Sequence, residues 1–544
     1  MGIAYEQALS EVGNEGKFQK CFDVKYNVLV VFLWSMAYMN IILALAFTPY
    51  TCKLPDKTDI NISDYTWKLK HIPVHTDANG DVKFESCTIY KHPDVNNETT
   101  ECDSYTYDQT WYESTIASEK NWVCDKEINI ANLFAFSKIG EAFGSVVFGW
   151  IGDVFGRRPT YMISMLLVVL GRLISLMAGS SFFIFATGCI IASSPSWSVP
   201  QTVSVISMEI SSSARRTTTT SMRYTAFSIG LATMSLFYWW LRDWKLFVII
   251  TTAPLIPWII FSWKIPESPR WLCVTGKSKQ CIKCLKKIAK DNNRDLEVDT
   301  EKELMAIEIE DSNSGFGPLA LFSGKRLALN TILLLILWVF ISISYSVLVL
   351  SAGEKSGLNP FIQFSLQSIA EIPANFLGAW LCDHLGRRRS VTMSFFVIAT
   401  IWTMISLREL TNMQWIRASW IHSVLIGIGR LTIAIAFFAI NLLNLEIYPT
   451  SLRSSGLSLG NVVSSAAAAI APYILYLGRR VDSRLPGIIL GSTCFLCVFT
   501  SIFLPETMNT KLPETIEDAN LLGSNKSKYS KVSESKQPAP ENLT

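Results

Sequence analysis

Ionisable side chains inside long apolar stretches are expensive to keep unless they face a cavity or a partner, so the few in this sequence are where chemistry is sought first. Lys138 and Glu141 stand three apart in one such stretch, on one helical face. Glu371 lies in Gln367-Ser-Ile-Ala-Glu-Ile-Pro373, where the proline opens the helix and leaves backbone groups for a site. Arg430, in Gly427-Ile-Gly-Arg430, is its cationic counterpart. A carboxylate in an apolar wall attracts organic cations, and the pair of opposite charges suits a zwitterion. Trp338 and Tyr345, seven residues and two helical turns apart, add aromatic faces that hold ammonium groups at about 0.5–2 kcal/mol each. Tyr38 and Tyr224 are further aromatic candidates, and the bland alternative for each is packing or anchoring at the lipid interface.

A second kind of chemistry is written twice. Gly149-Trp-Ile-Gly-Asp153-Val-Phe-Gly156-Arg157-Arg158 returns as Gly378-Ala-Trp-Leu-Cys-Asp383-His-Leu-Gly386-Arg387-Arg388. Glycines let two helices and a tight turn approach closely. The aspartate can face a helix N-terminus or a neighbouring arginine in a contact that breaks and remakes between two states. Glu209 followed by Arg215, and Glu446 followed by Arg453, repeat a carboxylate-then-arginine order, and each glutamate is expected to latch onto an arginine of the neighbouring loop. Nothing resembles a nucleotide loop, a nucleophile elbow or a metal-ligand pattern. No enzyme, metal or cofactor is therefore implied, and Cys281-Ile-Lys-Cys284 lacks the second pair that a metal site needs.

These residues need elements to hold them, and composition says which. The chain is 49% hydrophobic and only 17% charged over 544 residues, more apolar than a soluble core of this size requires. Its net charge of +3 is spread out, which gives no reason to expect nucleic acid and makes the lipid bilayer the expected partner. Twelve stretches of about 20 residues or more can span as helices. They lie near 26–48, 131–151, 160–178, 181–204, 222–241 and 245–263, then 327–350, 360–381, 390–407, 416–445, 456–477 and 486–504. This predicts an all-α membrane protein of two six-helix bundles, 26–263 and 327–504. Residues 1–25 form a cytoplasmic N-terminus, 264–326 a cytoplasmic linker, and 505–544 a disordered cytoplasmic tail.

Lys and Arg in the short loops place both termini in the cytoplasm, with Arg479, Arg480 and Arg484 as exceptions on the outside. Residues 49–129 are then an extracellular domain. Its four cysteines, Cys52, Cys87, Cys102 and Cys124, predict two disulfides with the pairing open among three choices, and Asn61 and Asn97 stand in glycosylation sequons. A homo-oligomer through this domain is a further partner the layout allows.

The repeated loops resemble the signature loop of the major facilitator superfamily, which implies alternating access between the two bundles. Glu446-Ile-Tyr-Pro-Thr-Ser-Leu-Arg453, Pro266-Glu-Ser-Pro-Arg-Trp-Leu272, Leu504-Pro-Glu-Thr507, Phe18-Gln-Lys20, Phe47-Thr-Pro49 and Asn121-Trp-Val-Cys-Asp125 resemble the organic ion transporters of solute carrier family 22. The resemblance implies a plasma-membrane carrier of small organic ions, with Glu371, Trp338 and Tyr345 lining its cavity. The family sets solute charge with an Asp or Arg in the eleventh span; counting back from Pro472 gives Ser465 here, so that charge is missing. Organic cations or zwitterions are expected. An organic anion or sugar carrier is the alternative, and a receptor or adhesion protein a distant one.

Overall fold

The computed structural model describes residues 2–522 apart from 56–62, 77–81, 93–95, 180, 212, 306–317, 352–358, 411–417, 450–451, 509, 511–512 and 514. Asn61 and the tail beyond residue 522 lie outside the described residues, and Asn97 is described only as strand backbone.

Apolar stretches fold as helices because a helix satisfies its own backbone where lipid offers no partner. The first half runs α1 (Lys17–Ala44), α2 (Cys124–Val154), α3 (Arg157–Met177), α4 (Phe182–Glu209), α5 (Ser213–Leu241) and α6 (Trp244–Lys264). Two linker helices follow, α7 (Pro269–Val274) and α8 (Ser278–Asp291). The second half runs α9 (Lys325–Leu350), α10 (Pro360–Ile369), α11 (Glu371–Leu385), α12 (Arg387–Arg408), α13 (Trp420–Ile447), α14 (Ser455–Arg480) and α15 (Leu485–Ile502). Two cores form, one around Tyr161, Phe185 and Phe247 of the first half that also takes in Val349, Phe361 and Phe364 of the second, and one around Leu337, Phe395 and Ile440.

Ten of these helices are long and apolar enough to cross a bilayer among the described residues, against the twelve expected. The two differences have local causes. α5 fills the fifth position but opens on Ser-Ala-Arg-Arg-Thr-Thr. The eighth expected span is divided at Ala370 into α10 and α11, because Pro373, without an N–H, sits in the first turn of α11 and cannot bond back into α10.

The segment 49–129, called the ectodomain below after that expectation, departs from an all-α description. Among its described residues are six short strands in three antiparallel pairs: β1 (Tyr50–Cys52), β2 (Val74–Thr76), β3 (Val82–Phe84), β4 (Thr88–His92), β5 (Asn96–Glu101) and β6 (Tyr105–Tyr107), paired β1 with β6, β2 with β3 and β4 with β5. Such ribbons are marginal alone. Two disulfides, Cys52–Cys102 and Cys87–Cys124, staple them and tie them to the start of α2.

Two readings of the tail and the linker change. The segment after 505 is not wholly unstructured: a helix at Ile516–Leu521, capped by Thr515 and Asp518, docks through Asn520 on the N–H of Leu327 at the foot of α9 (3.0 Å). In the linker Cys281 pairs with Cys273 across α7 and α8, at a Cα separation of 5.8 Å, while Cys284 stays free and burial pushes its thiol up to about 11.

Candidate functional site

Glu141, on α2, is buried and saturated. Its Oε2 accepts hydrogen bonds from the Tyr38 hydroxyl (2.8 Å) and Lys138 Nζ (3.0 Å). Its Oε1 accepts from Trp197 Nε1 (2.6 Å) on α4 and from Ser465 Oγ (3.0 Å) on α14. Four donors on one carboxylate offset the cost of burying it in an apolar setting, and the Ser465 bond crosses from one half to the other. Lys138 also donates to the Tyr38 hydroxyl (3.0 Å) and lies 5.5 Å from that ring's centre. Tyr38 in turn stacks on Trp34 at 5.0 Å.

Glu371 opens α11 just past the Ala370 break, where the positive end of the helix dipole favours a carboxylate. Arg430 on α13 reaches it with Nε at 2.9 Å and Nη2 at 2.7 Å, both on Oε1, while its Nη1 donates to Ser368 Oγ (3.4 Å) and its guanidinium lies 5.3 Å from the Phe364 ring centre. Trp338 and Tyr345 both pack edge-on against Phe437, each at 5.8 Å. Trp338 Nε1 and both polar atoms of Gln367 are buried with no hydrogen-bond partner, so this wall carries unspent polar groups. Tyr224 is not part of either cluster; it lies beside Arg223, at 4.9 Å.

The two clusters share a register. Glu141 precedes Asp153 by twelve residues, as Glu371 precedes Asp383. Each half therefore carries a buried glutamate twelve residues before its loop aspartate, with a cation on it: Lys138 from α2 itself, Arg430 from α13.

The repeated loops are built alike. Gly156 (φ 104°) and Gly386 (φ 93°) form the turns before α3 and α12. The Glu267 carboxylate caps the N–H groups of Arg157 (2.8 Å) and Arg158 (3.1 Å), as Glu506 caps that of Arg387 (2.9 Å). A Cβ on either glycine would come within 2.6 Å of the capping carboxylate. Asp153 pairs with Arg157 (3.0 Å) and Asp383 with Arg387 (3.7 Å). Glu446 does pair with an arginine of its loop, Arg387 at 3.2 Å, and accepts from Thr507 Oγ1. Glu209 instead accepts from Ser268 Oγ, the equivalent hydroxyl of the first half. Arg215 turns to Asp23 (2.8 Å), Arg453 to the Tyr448 carbonyl (3.2 Å) and Arg388 to the Ile502 carbonyl (3.5 Å). The Gly378 Cβ position lies 3.3 Å from Phe438, whereas Gly149 has nothing within 4 Å.

Several side chains escape a reading of motifs. Arg172, buried in α3, donates to the carbonyls of Ala37 (3.2 Å) and Tyr38 (3.0 Å) and so fixes the part of α1 that presents Tyr38; a lone arginine in an apolar run was its signal. Asp23 gathers Arg215 and the hydroxyls of Ser207 and Thr219. Glu127 at the start of α2 pairs with Arg479 (2.8 Å) and Arg480 (3.5 Å), which explains two of the basic residues that defied the charge rule. With Tyr473 on Asn132 (2.8 Å), Ser235 on the Phe361 carbonyl (2.8 Å) and Ser365 on that of Ala232 (2.9 Å), these links close the halves together at the ectodomain end. The loop carboxylates at the opposite end face outward, with the Asp153 side chain 77% exposed.

The profile of the sugar (and other) transporter family matches residues 89–518. The chain is 29% identical to the mouse solute carrier family 22 member 7, covering 96% of this chain and 98% of that one. It is 25% identical to the human organic cation/carnitine transporter 2, over 94% and 93%. In fold it is similar to a partially occluded inward-open xylose transporter of E. coli, at 16% identity and a TM-score of 0.59, covering 90% of this chain and 100% of that one.

Proposed function

From the premise that the chain belongs to the sugar (and other) transporter family, a family of membrane carriers and not of enzymes, we propose that it moves small organic ions, cations or zwitterions, by alternating access. The observation that carries this reading is Glu371: a buried carboxylate at a helix break, with one oxygen on Arg430, whose guanidinium lies 5.3 Å from the Phe364 ring centre. A sugar would be read by several neutral hydrogen-bonding groups and needs no ion pairs, whereas two sit in this centre. The full-length relative named for organic cations and carnitine supports the same choice.

In this reading α5 and the α10–α11 pair count as spans, giving twelve, with both termini cytoplasmic in the plasma membrane. The two clusters are substrate-facing, and the paired loops with Glu267 and Glu506 form the hinge on which the bundles rock. Counterflow from proteoliposomes with labelled tetraethylammonium, carnitine, urate and glucose tests it. Exchange of tetraethylammonium or carnitine is expected; exchange of glucose alone would overturn the proposal.

A further inference from the structure

We propose that the carrier takes zwitterions in a fixed polarity across its midline, with the solute's ammonium on Oε2 of Glu371 in the second half and its carboxylate on the ammonium of Lys138 in the first. This rests on the organic-ion reading and adds the partner for the negative end. Arg430, which the sequence offers for that end, is closed off: its side chain is 0% exposed, Nε and Nη1 donate to Glu371 and Ser368, and Nη2, which makes no hydrogen bond, is buried 2.7 Å from the same Glu371 oxygen. Lys138 is not. Its side chain is 26% exposed, and of three N–H groups one goes to Tyr38 and one to Glu141, leaving the third.

Glu371 is complementary. Both contacts from Arg430 fall on Oε1, so Oε2 remains to attract a cation, a quaternary ammonium without N–H groups included. Glu141, its counterpart in register, has both oxygens filled by four donors and serves to seat Lys138. The asymmetry between the repeats thus leaves one negative and one positive valence open, in opposite halves. Ser465 of the second half reaches Glu141 at 3.0 Å, beside Lys138, so the two halves meet at the level of this cluster. A bare cation would use only the Glu371 end, and a zwitterion would use both.

The test compares uptake of carnitine with uptake of its methyl ester, which keeps the cation and loses the carboxylate, by the full chain in proteoliposomes. The acid-to-ester ratio is read within each variant and does not depend on how much protein folds. Lys138→Gln is expected to lower that ratio about tenfold or more, the worth of a charge-assisted hydrogen bond, and Lys138→Arg to retain most of it. An unchanged ratio in Lys138→Gln, or a wild type that carries the ester and never the acid, overturns the polarity while the organic-ion reading stands. A wild type that carries neither overturns the polarity, and the organic-ion reading falls with it only if tetraethylammonium is refused as well. Should Lys138→Gln yield no folded protein, competition on the wild type decides: unlabelled carnitine must inhibit uptake of labelled ester at least about tenfold better than unlabelled ester does, and equal inhibition overturns the proposal.

Discussion

Gly149 and Gly156 belong to one loop, yet the structure asks different things of them. Gly156 has φ 104°, and its missing Cβ leaves room for the Glu267 carboxylate that caps α3. An L-residue in that region costs about 1–2 kcal/mol before the carboxylate is displaced. Gly149 is helical with nothing within 4 Å of its Cβ position. Gly156→Ala is therefore expected to lose at least about 1–2 kcal/mol, read as a lower melting temperature of the purified protein. Gly149→Ala should melt within about 0.5 kcal/mol of the wild type; if Gly149 serves only the other conformation, the variant keeps its melting temperature and loses uptake. Equal destabilisation of the two would refute the capping account. At this scale the sequence was partly legible: Glu371, Arg430, Lys138 and Glu141 stood out as charges in apolar runs. Glu371 and Arg430 were also legible as opposite charges; that they bond directly, and that Ser465 meets Glu141, depends on contacts between distant segments. Ser465 lacks a charge and still takes part, as a cross-half donor.

Among the elements, helices were easy to read where the apolar run was long and hard where a second demand intruded. α5 begins on a basic, hydroxyl-rich turn, and Pro373 splits the eighth span so that Glu371 can stand at a helix start. The ectodomain was legible as a disulfide domain, but spacing alone cannot choose among pairings. The fold chooses by strand pairing: β1 runs beside β6, and Cys52 thereby lies beside Cys102. Closing loops of 50 and 37 residues, the two bonds contribute on the order of 4 kcal/mol each by restricting the unfolded chain. Peptide mapping without reductant is expected to find the links Cys52–Cys102 and Cys87–Cys124. Any other pairing would mean that the strand register described for the ectodomain is wrong.

Taken as a whole, the molecule is two bundles pressed together at the ectodomain end and presenting their loop carboxylates outward at the other. The repeat of the loops announced the two halves in the sequence; which end was shut could not be read there, because it depends on contacts between residues hundreds of positions apart. Tyr473 and Asn132 make such a contact, a hydroxyl on α14 to an amide on α2 at 2.8 Å. Ser365 and Ser235 brace the other pair, α10 against α5. If a solute enters from the ectodomain side, all of these must part in every cycle. The double variant Asn132→Cys/Tyr473→Cys, bridged by a short bis-methanethiosulfonate reagent, should hold this end shut. Uptake is then expected to fall at least about tenfold, as for a carrier whose competent state is no longer populated, and to return when reductant cleaves the bridge. Each single variant given the same reagent should keep its uptake. Undiminished uptake in the bridged double variant, with cross-linking confirmed by mass spectrometry, would mean that α2 and α14 do not separate and that the solute takes another route.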